Sequence, residues 1–351
     1  MNYAIWVTTK CNMSCIYCYE GKEKANLVLS KEKADQIINY ILENEKDKSR
    51  EINITYHGGE PLLEFKIMRY ITQNLECKLK GRQVYFSTTT NGTILDKEIM
   101  KFLSQYRFEM SISIDGGRET HNLYRKFSNG QGSYDVVIKN SKILLEKFPE
   151  MRVRMTYNEN TLQDLAQNIY SLIKIGFKTI VPIHDFCESV WSDKHIEILR
   201  EQIAIVKKYT NKYQVSVGVC EPLDVSCHKR CNGGITSINI LPDGKIYPCM
   251  AAVGSKEFEM GNIETGIDEY KLKAIHEEFD REIEECLGCS FYSYCDNTRC
   301  RIMNRVFRGS YDKPSEIVCS LNNLFYKVNG VMNITVRQSR QSGVARATCP
   351  D

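Results

Sequence analysis

The stretch TTKCNMSCIYCYEG places Cys11, Cys15 and Cys18 in a C-x3-C-x2-C run just behind a β-rich segment. Soft thiolates at such spacing select zinc, copper(I) or iron–sulfur clusters. A closed zinc site takes four protein ligands, so three thiols leave one position for something else. A second concentration of thiols lies far downstream: Cys227, Cys231 and Cys249, then Cys286, Cys289, Cys295 and Cys300, then Cys319. Their spacing is C-x3-C-x17-C, a gap, C-x2-C-x5-C-x4-C, and a single cysteine. Eight thiols can close two four-ligand centres, as a pair of zinc sites or as two iron–sulfur cubanes. Cys220 is an alternative to Cys227. Cys77 is expected as a buried helical thiol, Cys187 as a rim thiol and Cys349 as a tail residue.

The bulk properties narrow the setting. The chain has 351 residues and 15 cysteines, with 47 basic and 44 acidic residues and a net charge of +3. No local basic patch stands out, so nucleic acid is not an expected partner. The opening MNYAIWVTTKC has neither a basic n-region nor an apolar h-region. No run reaches the ~18 apolar residues of a membrane span. The expectation is a cytoplasmic protein without a membrane partner, in a reducing compartment where clustered cysteines serve as metal ligands rather than disulfides.

The elements that must position the front thiols alternate between strand and helix. Strand patterns at 3–9, 51–59, 83–92, 108–117, 150–157 and 178–184 are each followed by a helical pattern, at 30–46, 63–79, 96–106, 134–148, 161–175 and 193–209. Ser30 is a candidate N-cap of the first helix. Such βα repeats build a parallel sheet with helices outside. Six units make an open or partial barrel, or a doubly wound sheet, and in either case chemistry collects at the C-terminal strand ends. There lie Cys11–Cys18, His57-Gly58-Gly59-Glu60, Thr90-Asn91-Gly92, Ser113-Ile114-Asp115-Gly116 and His184-Asp185. The segment between 117 and 134 shows no clear periodicity. Downstream, TSINILPDGKIYPC (236–249) reads as a β-hairpin with its turn at Pro-Asp-Gly-Lys.

C-x3-C-x2-C behind a first strand, with YHGGEPLL (56–63) and SISIDGGRETHNLYRK (111–126), resembles the radical S-adenosylmethionine (SAM) superfamily. The resemblance implies a partial (β/α)6 TIM-like barrel of class α/β. It implies a [4Fe–4S] cluster on Cys11, Cys15 and Cys18 whose open iron binds SAM, and reductive cleavage of SAM to a 5'-deoxyadenosyl radical that takes hydrogen from a substrate. By the same resemblance Tyr17 lies near the adenine, Gly59 and Glu60 meet the SAM ammonium, Ser113 lies near the ribose and Arg125 near the carboxylate. Asn91 is left outside the site, because Asn-Gly is a common turn.

The downstream cysteines are similar to the SPASM domain, a small Cys-rich extension with a β-hairpin, helices and two auxiliary [4Fe–4S] clusters. The resemblance assigns Cys227, Cys231, Cys249 and Cys300 to the first cluster and Cys286, Cys289, Cys295 and Cys319 to the second, for three clusters in all. One departure is the four residues between Cys295 and Cys300, where the family has three. The domains expected are 1–210 for the barrel, 211–325 for SPASM and 326–351 for a C-terminal tail.

Enzymes of this kind modify peptides or proteins. The first expectation is a maturase that installs a thioether or other crosslink in a ribosomally made peptide. The alternatives are formylglycine formation of the sulfatase-maturing type, oxidation of another protein or small molecule, and a non-enzymatic electron carrier. The sulfatase-maturing reading is lowered by Met250, which stands where that subgroup has its Asp base. His184 and Asp185 are considered as bases and not assigned. Implied partners are a peptide or protein substrate and a reductant such as flavodoxin or ferredoxin. A separate leader-peptide-binding protein is a further expected partner, since the chain begins at its first strand.

Overall fold

Six strands carry the site: β1 (Asn2–Thr8), β2 (Ile52–Gly58), β3 (Val84–Thr90), β4 (Glu109–Ser113), β5 (Arg152–Tyr157) and β6 (Thr179–His184). The computed structural model describes residues 1–20, 26–47, 49–186, 190–224 and 231–332. These six strands are parallel and stand side by side in sequence order. A doubly wound sheet would reverse its order at a switch point, so the barrel-like alternative holds. Two-residue β7 (Ser216–Val217) extends the sheet beyond β6.

Helices α1 (Lys31–Asn44), α2 (Phe65–Lys78), α3 (Lys97–Gln105), α4 (Arg118–Tyr124), α5 (Tyr134–Lys147), α6 (Leu165–Ile175) and α7 (Asp193–Tyr213) follow the strands. Ser30 caps α1 by accepting from the Lys33 amide. Alternate strand residues bury one face against these helices, as in β2, where Ile52, Ile54 and Tyr56 are fully buried. The opposite face carries Asn53, Thr55 and His57, which are half-buried. α4 falls in the segment where the sequence shows no period. Its seven residues span two turns behind Gly116-Gly117, too few to repeat a 3.6-residue pattern.

The downstream unit does not stand apart from the sheet. After β8 (Leu223–Asp224), the hairpin of β9 (Ser237–Ile240) and β10 (Lys245–Tyr247) follows, and β9 pairs in parallel with β1. β11 (Gly261–Asn262) and β12 (Gly266–Ile267) continue the same sheet, giving eleven strands. Gly244 closes the hairpin turn at φ +89°, donating to the Leu241 carbonyl, in the conformation that favours glycine. Four helices follow: α8 (Glu269–Asp280), α9 (Asp296–Arg299), α10 (Arg301–Arg308) and α11 (Glu316–Asn329). β13 (Val331–Met332) pairs with β8. Two helices cross the boundaries expected from the sequence. α7 runs past 210 to Tyr213, and α11 runs past 325 to Asn329. Among the described residues no helix is long and apolar enough to cross a membrane.

Cys77 corrects its expectation. It lies on α2 but is exposed, because Leu75 and Leu79 take the core-facing side of that turn. Cys187, Cys227 and Cys349 lie outside the described residues.

Candidate active site and metal centres

The loop after β1 holds Cys11, Cys15 and Cys18, all half-buried. Backbone bonds fix it to the segment after α4. Ser14 donates to the Lys126 carbonyl, Ile16 to Tyr124 and Ser128 to Asn12, with Met13 and Phe127 bridged. On its other side the Gly58-Gly59 turn lies against the start of the loop. A Cβ at Gly59 would stand 2.4 Å from the Lys10 carbonyl oxygen and 2.9 Å from Cys11 Cβ. Only glycine permits that approach.

Glu60 follows the glycine turn at the end of β2. Its side chain is fully buried and accepts from the Leu62 amide (3.1 Å), the Thr90 hydroxyl (2.8 Å) and the Asn91 amide (2.7 Å). Burial pushes this carboxyl up to about 7, against the pull of those three donors. The carboxylate therefore locks the end of β2 to the end of β3.

Asp115 is the residue that the sequence reading passed over, although it stands inside the quoted SIDG element. Its Oδ1 accepts from the Thr156 amide (2.9 Å), and its Oδ2 accepts from Arg125 Nε (3.0 Å) and from the Tyr17 hydroxyl. Arg125 in turn lies 5.3 Å from the centre of the Tyr17 ring and reaches Cys15 Sγ with Nη1 at 4.0 Å. Burial opposes the guanidinium charge, but Asp115, Tyr17 and Cys15 outweigh it and hold the Arg125 pKa above its ordinary value. Tyr17 also stacks on Tyr124 at 5.7 Å. Asn91, left outside the site on its turn signal, reaches the loop: its Nδ2 meets Asn12 Oδ1 (2.9 Å) and Cys11 Sγ (3.7 Å). The Asn-Gly pair is a turn here too, which hid the second role. Ser113 ends β4 in register with Arg154 of β5.

A cavity of about 300 Å³ opens beside the loop, lined by Ile16, Leu123, Tyr124, Asn158, Glu159, Asn160 and Asp185. Asp185 is buried there. His184, at the same strand end, packs on Phe186 at 4.1 Å, and burial lowers its pKa to about 4.

Downstream, two groups of thiols form. Cys231 and Cys249 lie close enough to Cys300 to act on its charge, and Cys231 acts likewise on Cys249. Separately, Cys289 and Cys319 act on Cys286, and Cys319 acts on Cys295. Cys220 joins neither group, since Lys207 and Glu221 are its charged neighbours. Cys249, Cys295 and Cys300 each precede a helical turn, and amides of those turns donate to their sulfurs. Asn322 Nδ2 reaches Cys295 Sγ (3.4 Å), and Asn323 Nδ2 reaches Cys319 Sγ (3.6 Å). Among the described residues no three His, Cys, Asp or Glu groups converge as a single ion requires. Donor type and N–H···S contacts instead suit iron–sulfur clusters, where each thiolate meets a different iron. In front, three thiols with donors from Asn91 and Arg125 fit a cluster with one open iron.

Residues 5–169 match the Radical SAM superfamily, and residues 231–290 match SPASM, an iron–sulfur cluster-binding domain. The chain is 25% identical over 326 residues to the cysteine-type anaerobic sulfatase-maturating enzyme of Clostridium perfringens strain 13, spanning 83% of this chain and 86% of the relative. It is 24% identical over 323 residues to the radical SAM cyclopropyl synthase TigE of Paramaledivibacter caminithermalis, spanning 82% of this chain and 65% of the relative. Among solved structures, anSMEcpe with bound AdoMet and Kp18Cys peptide superposes with a TM-score of 0.77 at 21% identity, over 93% of this chain and 96% of that one. Streptococcus suis SuiB bound to precursor peptide SuiA gives 0.65 at 18%, over 91% and 75%. At these identities the solved structures establish a shared fold.

Proposed function

We propose that this chain, which belongs to the radical SAM superfamily and carries a C-terminal SPASM domain, matures a peptide by hydrogen abstraction, installing a thioether or other crosslink. Cys11, Cys15 and Cys18 would hold the cluster that binds SAM. Cys227, Cys231, Cys249 and Cys300, and separately Cys286, Cys289, Cys295 and Cys319, would hold two auxiliary clusters. When bound, the front cluster and SAM supply a 5'-deoxyadenosyl radical that removes a hydrogen atom from substrate.

The chain's own residues prepare that site. Arg125 neutralises charge beside Cys15, while Asp115 fixes the planes of Arg125 and Tyr17. The peptide edge at Gly59-Glu60 faces a ligand ammonium, Ser113 a ribose and Tyr17 an adenine. Ile16, Leu123 and Tyr124 wall the cavity on its apolar side.

The observation that carries the crosslinking reading over formylglycine formation is Met250. It is half-exposed in the turn after Cys249 and offers no carboxylate to take a proton. Names among the relatives point to both chemistries: sulfatase maturation, cyclopropyl synthesis, and biosynthesis of the bacteriocin subtilosin by AlbA of Bacillus subtilis. A flavodoxin or ferredoxin would supply electrons, and a separate protein would hold a leader peptide. The setting proposed is cytoplasmic.

The test is product analysis. Iron-loaded, reduced protein is incubated with SAM and, in parallel, with a sulfatase peptide carrying its target cysteine and with short peptides encoded beside its gene. Loss of hydrogen from a gene-adjacent peptide, with a new linkage by tandem mass spectrometry, supports the crosslinking reading. An aldehyde on the sulfatase peptide supports the other.

A further inference from the structure

The face of the sheet turned away from the helices carries a cation, Arg154, with no carboxylate partner among the described residues. On β5, Val153, Met155 and Tyr157 point into the helix-covered core, so Arg152, Arg154 and Thr156 lie on the opposite face. Register partners in a parallel sheet stand side by side on one face, which sets Arg154 between Ser113 of β4 and Val181 of β6. Arg152, one pleat away, is paired with Glu109 at 3.1 Å. Asp115, two residues past Ser113, has both oxygens committed to Thr156, Arg125 and Tyr17.

Arg154 also lies within electrostatic reach of two further polar side chains, His57 and Tyr19. His57 is held against Trp6 by stacking at 5.1 Å. Burial first, and Arg154 second, lower its pKa to about 4, so it adds no competing positive charge near neutral pH. The guanidinium itself is reached by solvent yet flanked by protein, and that flanking, with Arg152 next, depresses its pKa. A cation in such a place costs solvation that an incoming anion recovers.

We propose that Arg154 is a substrate-recognition residue that receives the carboxylate of an acidic side chain of the peptide, on the sheet face opposite the helices, beside Ser113. A guanidinium presents two parallel N–H donors that match a carboxylate and fix its orientation. Bound there, a carboxylate would hold its chain across the strand ends, next to the three-cysteine loop. This inference rests on the peptide-modifying reading and narrows it to peptides with an acid near the modified residue.

The test uses iron-loaded full-length protein with SAM and a positional library of capped hexapeptides, each carrying one Glu or its Gln counterpart. Retained peptides are read by mass spectrometry. The wild type should retain Glu members over Gln members, Arg154→Gln should lose that preference by about tenfold or more, and Arg154→Lys should restore part of it. Equal retention of Glu and Gln members by the wild type overturns the inference and leaves the peptide reading standing. No retention of any peptide overturns both. SAM affinity is measured in the same preparations. If Arg154→Gln weakens SAM itself with iron content intact, the carboxylate received is that of SAM, and the inference is overturned.

Discussion

The front and back thiols of this protein are held in opposite ways. The front loop is clamped between two pre-built walls: the Gly58-Gly59 turn and the segment after α4, itself tied through Asp115 to β5. Behind that clamp stands a sheet whose strands bury Ile5, Ile54, Ile112 and Val153 completely. In the back unit, Cys286 is half-buried while Cys289 and Cys319 are exposed, and Cys295 and Cys300 stand at the starts of short helices rather than behind strand ends. A site on a packed sheet has its geometry before any metal arrives. A site on short helices takes much of its order from the metal, as small metal-bound units do.

Predictions follow that contrast from the largest effect down. Cys15→Ala should abolish formation of 5'-deoxyadenosine, measured by chromatography, while the melting of the barrel changes little. Persistence of SAM cleavage would break the assignment of the loop. Reconstituted wild type should bind about 12 irons, and Cys295→Ala should lower the count toward about 8 without touching the front cluster. An unchanged count would remove Cys295 from the ligands. Chelation should then cost the segment from 286 to 329 far more hydrogen-exchange protection than β1–β5, and equal losses in both would erase the contrast drawn above.

Arg301 sharpens the comparison further. It is fully buried beside Cys300, with Nη1 on Asp312 at 2.7 Å and on the Tyr311 carbonyl at 3.2 Å. Arg301→Ala should destabilise the back unit by about 3 kcal/mol, seen as an earlier denaturation phase that spares the barrel. A pH dependence is expected at His121. Its Nδ1 accepts from the Asp115 amide (3.4 Å), its Nε2 contacts Ser133 Oγ (2.9 Å), and burial lowers its pKa to about 4. The folded value lies below the unfolded one near 6.5, so the native state binds fewer protons between the two. Stability is fully present above about 6.5 and is lost as pH falls toward 4, at up to about 1.4 kcal/mol per pH unit. Denaturant midpoints should show a shallower acid slope in His121→Gln, and an unchanged slope would refute this.

Much of the fold could be read from the chain because strand alternation and Gly, Asn and Asp punctuation are local signals. The six parallel strands, the Ser30 cap and the Pro-Asp-Gly-Lys hairpin all depend on residues within a few positions of one another. Asp115, Asn91 and the buried role of Glu60 were not legible in that way. Each acts on partners dozens of residues distant, and a motif names the residue types without saying which neighbour each will meet.

The sequence alone determined the identity and spacing of the thiols and the succession of six βα units, because these follow from period and composition, while the side-by-side order that makes the sheet barrel-like was decided by the tertiary structure. Only the tertiary structure decided that β9 would add to β1, joining the downstream unit to the barrel sheet. It also brings Cys231 and Cys249 within electrostatic reach of Cys300, and Cys286 and Cys295 within reach of Cys319. Thiols tens of residues apart come together through packing, and packing is a property of the whole chain, which no local pattern encodes.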